Sequence, residues 1–283
     1  MANSLFLIDD QVRRGTVAAS SQAGTTMAPG NLQTAPPSEF WRSADGQSSS
    51  VYVTLADAAG ITHGAAINVN FTTAATIRLR GWSDALDGSA LVYDQVFYPT
   101  LYIEDERSGL DLGEGDFGEG SFGSAARSED NISNITLMPL GGTFYDRYWR
   151  YDFEDLEGDF QQVGRIVMAP GLEFENNLSY GWDGEYDDLT VEQESPGGQM
   201  YREERPRRLI LRGSFDLLTE AERTRMFMRL RNLGTSVPFI YSVFPEPTNR
   251  GMTSTVYGTF SQSVLGNPGP RANSLKFSVR QEL

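Results

Sequence analysis

The side chains best suited to chemistry are scarce, and their scarcity limits what the chain can do. There is one histidine, His63, and no cysteine. Thiolate nucleophiles, disulfides, iron–sulfur clusters and Cys-based zinc sites are therefore excluded. A Ser–His–Asp triad would have to use His63, and no Gly-x-Ser-x-Gly elbow accompanies it. In Ile61-Thr62-His63-Gly64 the histidine reads as a turn or surface residue. Oxygen-ligand calcium sites remain open at Asp183-Gly184-Glu185-Tyr186-Asp187-Asp188. They also remain open in the glycine-rich loop of residues 108–124, which carries Asp111, Glu114, Asp116 and Glu119. Neither stretch has the alternating ligands, fixed glycine and distal glutamate of an EF-hand, so solvated acidic loops are expected.

Paired carboxylates could hydrolyse a glycoside, and Trp41, Trp82, Trp149 and Trp182 could stack on sugars. With 38 acids, no particular pair stands out, and tryptophans in a β-rich chain are expected in the core. Gly113-Glu-Gly115-Asp-Phe-Gly118 mimics a dinucleotide fingerprint, but its acids would repel a pyrophosphate and no strand–helix unit surrounds it. The sequons at Asn70, Asn131, Asn134 and Asn177 would need a secretory route. No catalytic, cofactor-binding or metal-binding residue is assigned, no cofactor is expected, and the chain does not read as an enzyme.

Acids outnumber bases 38 to 23, a formal charge of −15, which disfavours a nucleic-acid ligand. Lys276 is the only lysine, so the bases are almost all arginine. Arginine makes planar bidentate pairs with carboxylates, although a GC-rich codon bias would give the same composition. No stretch approaches the roughly twenty apolar residues of a membrane span. The start, Leu5-Phe6-Leu7-Ile8 before Asp9-Asp10, does not read as a signal peptide. A soluble chain made in the cytoplasm is expected.

The elements around these residues read as mainly β: a jelly-roll-like β-sandwich plus a second antiparallel β-domain carrying one helix. Residues 1–38 read as a short strand (5–8) followed by an extended arm, small and turn-prone to Ala35-Pro36-Pro37-Ser38. Such an arm could order on a neighbouring subunit or be a simple loop.

Residues 39–173 read as the sandwich, with candidate strands at 40–42, 51–55, 65–71, 76–80, 91–97, 101–103, 134–138, 148–153 and 162–168. Ile77 and Leu79 alternate with Arg78 and Arg80, the period of a half-buried strand. Residues 174–283 read as the second domain. Strands are expected at 209–215, 237–244, 254–262 and 274–282, the last two as antiparallel neighbours. A helix is expected over 219–233, opened by the capping box Thr219/Glu222 and closed by Gly234. Met226, Phe227, Leu230 and Leu233 form its expected apolar stripe.

Two stretches carry resemblances. Phe40-Trp41-Arg42-Ser43, Val51–Leu55, Arg147–Phe153 and Val163–Met168 together resemble a galactose-binding-like jelly roll, without matching that fold's ligand-binding residues. Arg208–Arg223 followed by Gly234–Tyr241 is similar to the strand–capped helix–strand unit of distal and minor tail (baseplate) proteins of long-tailed bacteriophages.

The second resemblance implies a virion structural protein at the tail tip, made in the host cytoplasm. It implies a homohexameric ring whose partners are the tail tube, tape-measure and hub or baseplate proteins, and through them receptor-binding or fibre proteins. No direct nucleic-acid binding and no membrane insertion are implied. Ring contacts between copies are head to tail; the candidate interface residues are Arg202, Arg205, Arg207, Arg208, Arg223, Arg225 and Arg229. Two rival readings are a carbohydrate-binding sandwich for host adhesion and a glycan-degrading enzyme.

Overall fold

A computed structural model of the chain describes residues 3–44, 46–72, 74–99, 135–194, 196, 198–203, 205, 207–245, 254–269 and 272–282. The strands run in chain order β1 (Leu5–Leu7), β2 (Thr16–Ala19), β3 (Trp41–Arg42), β4 (Ser48–Thr54), β5 (Ile61–Val69) and β6 (Thr76–Trp82). They continue as β7 (Leu91–Phe97), β8 (Ile135–Phe144), β9 (Tyr148–Glu154), β10 (Gln162–Ala169), β11 (Gly171–Glu173) and β12 (Asp183–Asp188). Then follow β13 (Val191–Glu194), β14 (Met200–Glu203), β15 (Arg207–Leu218), the helix α1 (Glu220–Leu233), β16 (Phe239–Ser242), β17 (Thr255–Gly269) and β18 (Ala272–Gln281).

Two sheets form the sandwich, one in the order β2-β4-β9-β6-β7 and the other β3-β10-β5-β8. Between them lie Trp41, Trp149, Tyr151, Phe153, Ile77 and Leu79 with other apolar side chains from alternate strand positions. Arg78 points outward from the same strand, as its period-two pattern requires. A seven-stranded sheet, β11-β1-β16-β17-β18-β15-β12, forms the second half. Its outer face is covered by α1 over a core that includes Phe6, Phe215, Met226, Tyr241 and Phe277.

The two halves are joined face to face. Leu5, Leu7, Ile240 and Tyr257 of the seven-stranded sheet pack on Ala65, Ile67, Val167 and Ala169 of the four-stranded sheet. Neighbouring residues of the same strands, Ala66, Ile166 and Met168, point the other way into the sandwich core. The four-stranded sheet is thus buried on both faces, which explains why Val163–Ala169 reads as an almost unbroken apolar run. From outside in, the layers are a five-stranded sheet, a four-stranded sheet, a seven-stranded sheet and a helix.

Connectivity divides the chain differently from the sequence reading. β1 pairs with β11 and with β16, so the N-terminal strand belongs to the C-terminal half. The sandwich is inserted between β1 and β11. The expected arm is packed on it: β2 pairs with β4, Leu32 is buried in the sandwich core, and Asn68 Nδ2 donates to Pro37 O at 2.8 Å. Gly164 permits this packing, because a Cβ there would lie 2.4 Å from Pro37 O. Small polar residues made the segment look loose; its own backbone groups are what tie it down.

The helix has the expected ends. Thr219 and Glu222 form a reciprocal capping box, and Gly234 caps the C-terminus at φ +56°. The expected stripe is corrected at Phe227, which is 56% exposed. The buried side instead carries Glu222, Met226 and Leu233. His63 is also corrected: it lies within β5, not in a turn, paired with Ala169 on one side and Pro139 on the other. The acidic stretch 183–188, expected as a loop, is β12, the edge strand beside β15. The candidate strand 101–103 and the glycine-rich loop 108–124 lie outside the described residues.

Candidate functional site

Three loops meet at one end of the sandwich, because β4, β6 and β8 finish there and β5, β7 and β9 begin there. They span residues 55–60, 83–90 and 145–147. Tyr145 is 66% exposed at this end. Its ring lies against Gly60, where an added Cβ would sit 3.2 Å from the ring edge. Arg147 is held by its Nε donating to Leu55 O at 3.1 Å, and its guanidinium stands 6.0 Å from the Tyr148 ring centroid. Burial pushes the Asp146 carboxyl above the ordinary aspartate range, and its carbonyl accepts from Trp149 Nε1 at 2.9 Å. One three-residue loop thus carries an exposed aromatic ring, a partly desolvated carboxyl and a guanidinium tied to the neighbouring loop at Leu55 O.

The outer face of the five-stranded sheet is charged but internally paired. Arg78 holds Asp94 through two bonds of 2.6 and 2.5 Å, keeping the Asp94 carboxyl below its ordinary range. Arg80 and Arg150 share Asp152, and Arg150 also reaches Asp87 at 2.9 Å. These guanidiniums already have carboxylate partners, so the face offers little unspent charge.

The seven candidate interface arginines fall into two places. Arg202 pairs with Glu192 at 2.7 Å, Arg205 with Glu203 at 3.0 Å and Arg207 with Asp188 at 3.4 Å. All three line an open groove of about 690 Å³ beside β13 and β14. Arg208, also on β15, has an Nε that is buried without a hydrogen-bond partner. The other three are on α1, where Arg223 pairs with Glu220 at 3.1 Å and Arg229 with Asp9 at 3.2 Å. Arg225 is exposed. Burial acts against the charge of Glu222, but the N–H groups of Glu175 and Thr219, the Thr219 hydroxyl and Arg225 hold its carboxyl below the ordinary glutamate range.

Among the described residues β13 and β14 pair only with each other. Almost every residue of this hairpin is exposed, Met200 and Tyr201 among them. The sequence reading missed both strands, since Val191-Glu-Gln-Glu and Met200-Tyr-Arg-Glu have too few apolar residues to show alternation. The sequence reading also missed Tyr145, whose place at the loop end follows from pairings far apart in the chain.

Three of the four tryptophans are core residues: Trp41 and Trp149 are fully buried and Trp82 nearly so. Trp182 packs against the edge of Phe244. Among the described residues no group of three potential metal ligands comes together, Asp183–Asp188 included.

No family model matches the chain, and no curated protein matches it. Solved structures similar to it include chitosan-binding module 1 of a chitosanase/glucanase from Paenibacillus sp. IK-5, with 11% identity and a TM-score of 0.38, over 57% of this chain and 99% of that one. Another is the family 32 carbohydrate-binding module of NanJ from Clostridium perfringens in complex with galactose, with 11% identity and a TM-score of 0.39, over 59% and 99%. A third is a GH29 fucosidase from Ruminococcus gnavus, with 10% identity and a TM-score of 0.39, over 58% of this chain and 27% of that one.

Proposed function

We propose that this chain is a non-catalytic protein that recognises carbohydrate through the free loop end of its sandwich and is carried in an assembly by its seven-stranded half. The observation behind the first part is the exposed Tyr145 ring on the 145–147 loop, which also carries Asp146 and the Arg147 held to Leu55 O. A sugar presents an apolar C–H face to an aromatic ring, and hydroxyls at its edge to planar donors and acceptors. The opposite sheet of the sandwich is occupied by the rest of the protein, so this end is the part free to meet a ligand. A glycan array tests the reading. Binding to a defined set of glycans, weakened at least tenfold in Tyr145→Ala with unchanged thermal stability, is expected. An array without hits, or one indifferent to Tyr145→Ala, would overturn it.

A second reading concerns the setting, and one observation favours it: the β13–β14 hairpin is nearly all exposed and, among the described residues, pairs with no other strand. A two-stranded ribbon is marginal in water by itself, so a neighbouring copy is its natural support. With the resemblance of residues 208–241 to tail proteins, this supports a ring subunit at a phage tail tip. There it would link tail tube and tape-measure proteins to the hub and to receptor-binding or fibre proteins. Negative-stain images and native mass spectra over a concentration series test this. Closed rings, six-membered above all, are expected, and they should be lost when Met200 and Tyr201 are both changed to Glu. A wild type that stays monomeric at every concentration would count against the ring.

A further inference from the structure

A cavity of about 380 Å³ lies at the seam between the sandwich and the helix-bearing half. Neither part of the proposed function uses it. Its walls come from parts of the chain far apart in sequence: the segment after β1, strand β10, and the end of α1 with the turn that follows. Ile8, Leu233, Val237 and Pro238 give it an apolar side.

The polar side is cationic. Arg13, Arg14, Arg165 and Arg229 line the cavity against only two carboxylates, Asp9 and Asp10. Asp10 is bound to Arg165 at 2.7 Å, while Asp9 lies 3.2 Å from Arg229 and 3.7 Å from Arg14. Arg13 makes no ion pair among the described residues. Four guanidiniums and two carboxylates leave a local excess of two positive charges, in a chain whose net charge is −15.

Arg165 is 2% exposed. Its Nη groups donate to Asp10 and to Thr34 O, its guanidinium stands 5.5 Å from the Tyr257 ring centroid, and its Nε has no hydrogen-bond partner. The floor is therefore a fixed cation, and the guanidiniums nearer the mouth have donors to spare.

We infer that this cavity binds a small organic dianion of the phosphate-monoester class. Arg13, Arg14 and Arg229 clamp the phosphate, since guanidinium forks match its oxygens in pairs. The organic part lies against Ile8, Val237 and Pro238. The charge excess matches a dianion, and the volume lies in the usual range for small-ligand sites. A bound ester would touch both halves at once.

Titration calorimetry of the whole protein with sn-glycerol 3-phosphate tests this, at constant ionic strength in chloride, with glycerol and inorganic phosphate as companions. One saturable site for the ester and none for glycerol is expected. Arg13→Ala and Arg229→Ala should each weaken the ester at least tenfold, and Tyr145→Ala should leave it unchanged. Both arginines can be cut back without touching the buried Arg165, and circular dichroism would verify each fold. Absence of heat beyond the chloride control would overturn the inference, as would equal affinity in the Arg13→Ala/Arg229→Ala double variant. Equal affinity for inorganic phosphate would assign the cavity to the free ion and overturn the ester. An ester-dependent rise in Tm, absent in the double variant, is the second expected readout.

Discussion

At the scale of single residues, the polar groups trapped at the joint between the halves set the chain's response to pH and to substitution. His63 sits there, its Nδ1 2.8 Å from the Thr62 hydroxyl. Burial lowers its pKa from 6.5 to about 4. As pH falls below 6.5 the unfolded chain binds a proton that the folded chain refuses until about pH 4, so stability declines across that window. The loss is at most on the order of 3 kcal/mol. Thermal unfolding from pH 8 to pH 4 should show it, and His63→Asn should unfold with a shallower slope over the same range. Equal slopes would mean that His63 is as solvated folded as unfolded.

Asp10 and Arg165 make the opposite kind of contact, a buried pair. Burial raises the Asp10 carboxyl, against the pull of Arg165 and of the Met168 and Val12 N–H groups. Asp10→Ala strands Arg165 and should cost about 3–5 kcal/mol, as broken buried pairs do. Asp10→Leu with Arg165→Met should cost clearly less than either single change. Denaturant melts of the three variants decide this, and strictly additive losses would contradict the coupling. Neither residue was prominent in the sequence, because nothing local tells that positions 10 and 165 meet.

At the scale of elements, legibility tracked how local the causes are. The capping box could be read because Thr219 and Glu222 are three residues apart and close their own bonds, Glu222 N donating to Thr219 Oγ1 and Thr219 N to Glu222 Oε2. Thr219→Ala should cost about 1 kcal/mol, measured by denaturant melts. No change would mean that packing of Met226 and Leu233 alone sets this end.

The burial of Phe227 was misread for a geometric reason. It is adjacent to Met226, so it points about 100° away on a helix of 3.6 residues per turn, and the sheet covers only one side. The strand at 148–153 was legible from its apolar alternation, and that at 162–168 from its nearly continuous apolar run. β12, β13 and β14 were not, because their residues are mostly acidic or polar, and β12 is held by pairing with β15. Among the candidate arginines, the place of Arg223, Arg225 and Arg229 on the helix was legible, but that of Arg202 on an exposed hairpin was not.

At the scale of the whole molecule, the doubly buried four-stranded sheet ties the fates of the halves together. If the sandwich melted alone, Leu5, Leu7, Ile240 and Tyr257 would lose their cover. If the seven-stranded half melted alone, Ala65, Ile67, Val167 and Ala169 would be exposed as an apolar face, the kind of patch that drives aggregation. Covalent order strengthens the link, since the sandwich is inserted between β1 and β11, and these two strands pair with each other. Partial opening at either side therefore uncovers apolar surface on both. Calorimetry should show a single transition with equal calorimetric and van't Hoff enthalpies. A sandwich fragment of residues 10–170 made alone should aggregate, and Ile67→Asp with Val167→Asp in the fragment should restore solubility. The same pair of changes in the full chain should be severely destabilising, because there both charges would be buried without partners. Two separate calorimetric peaks would show that the joint is a docking contact and not a shared core.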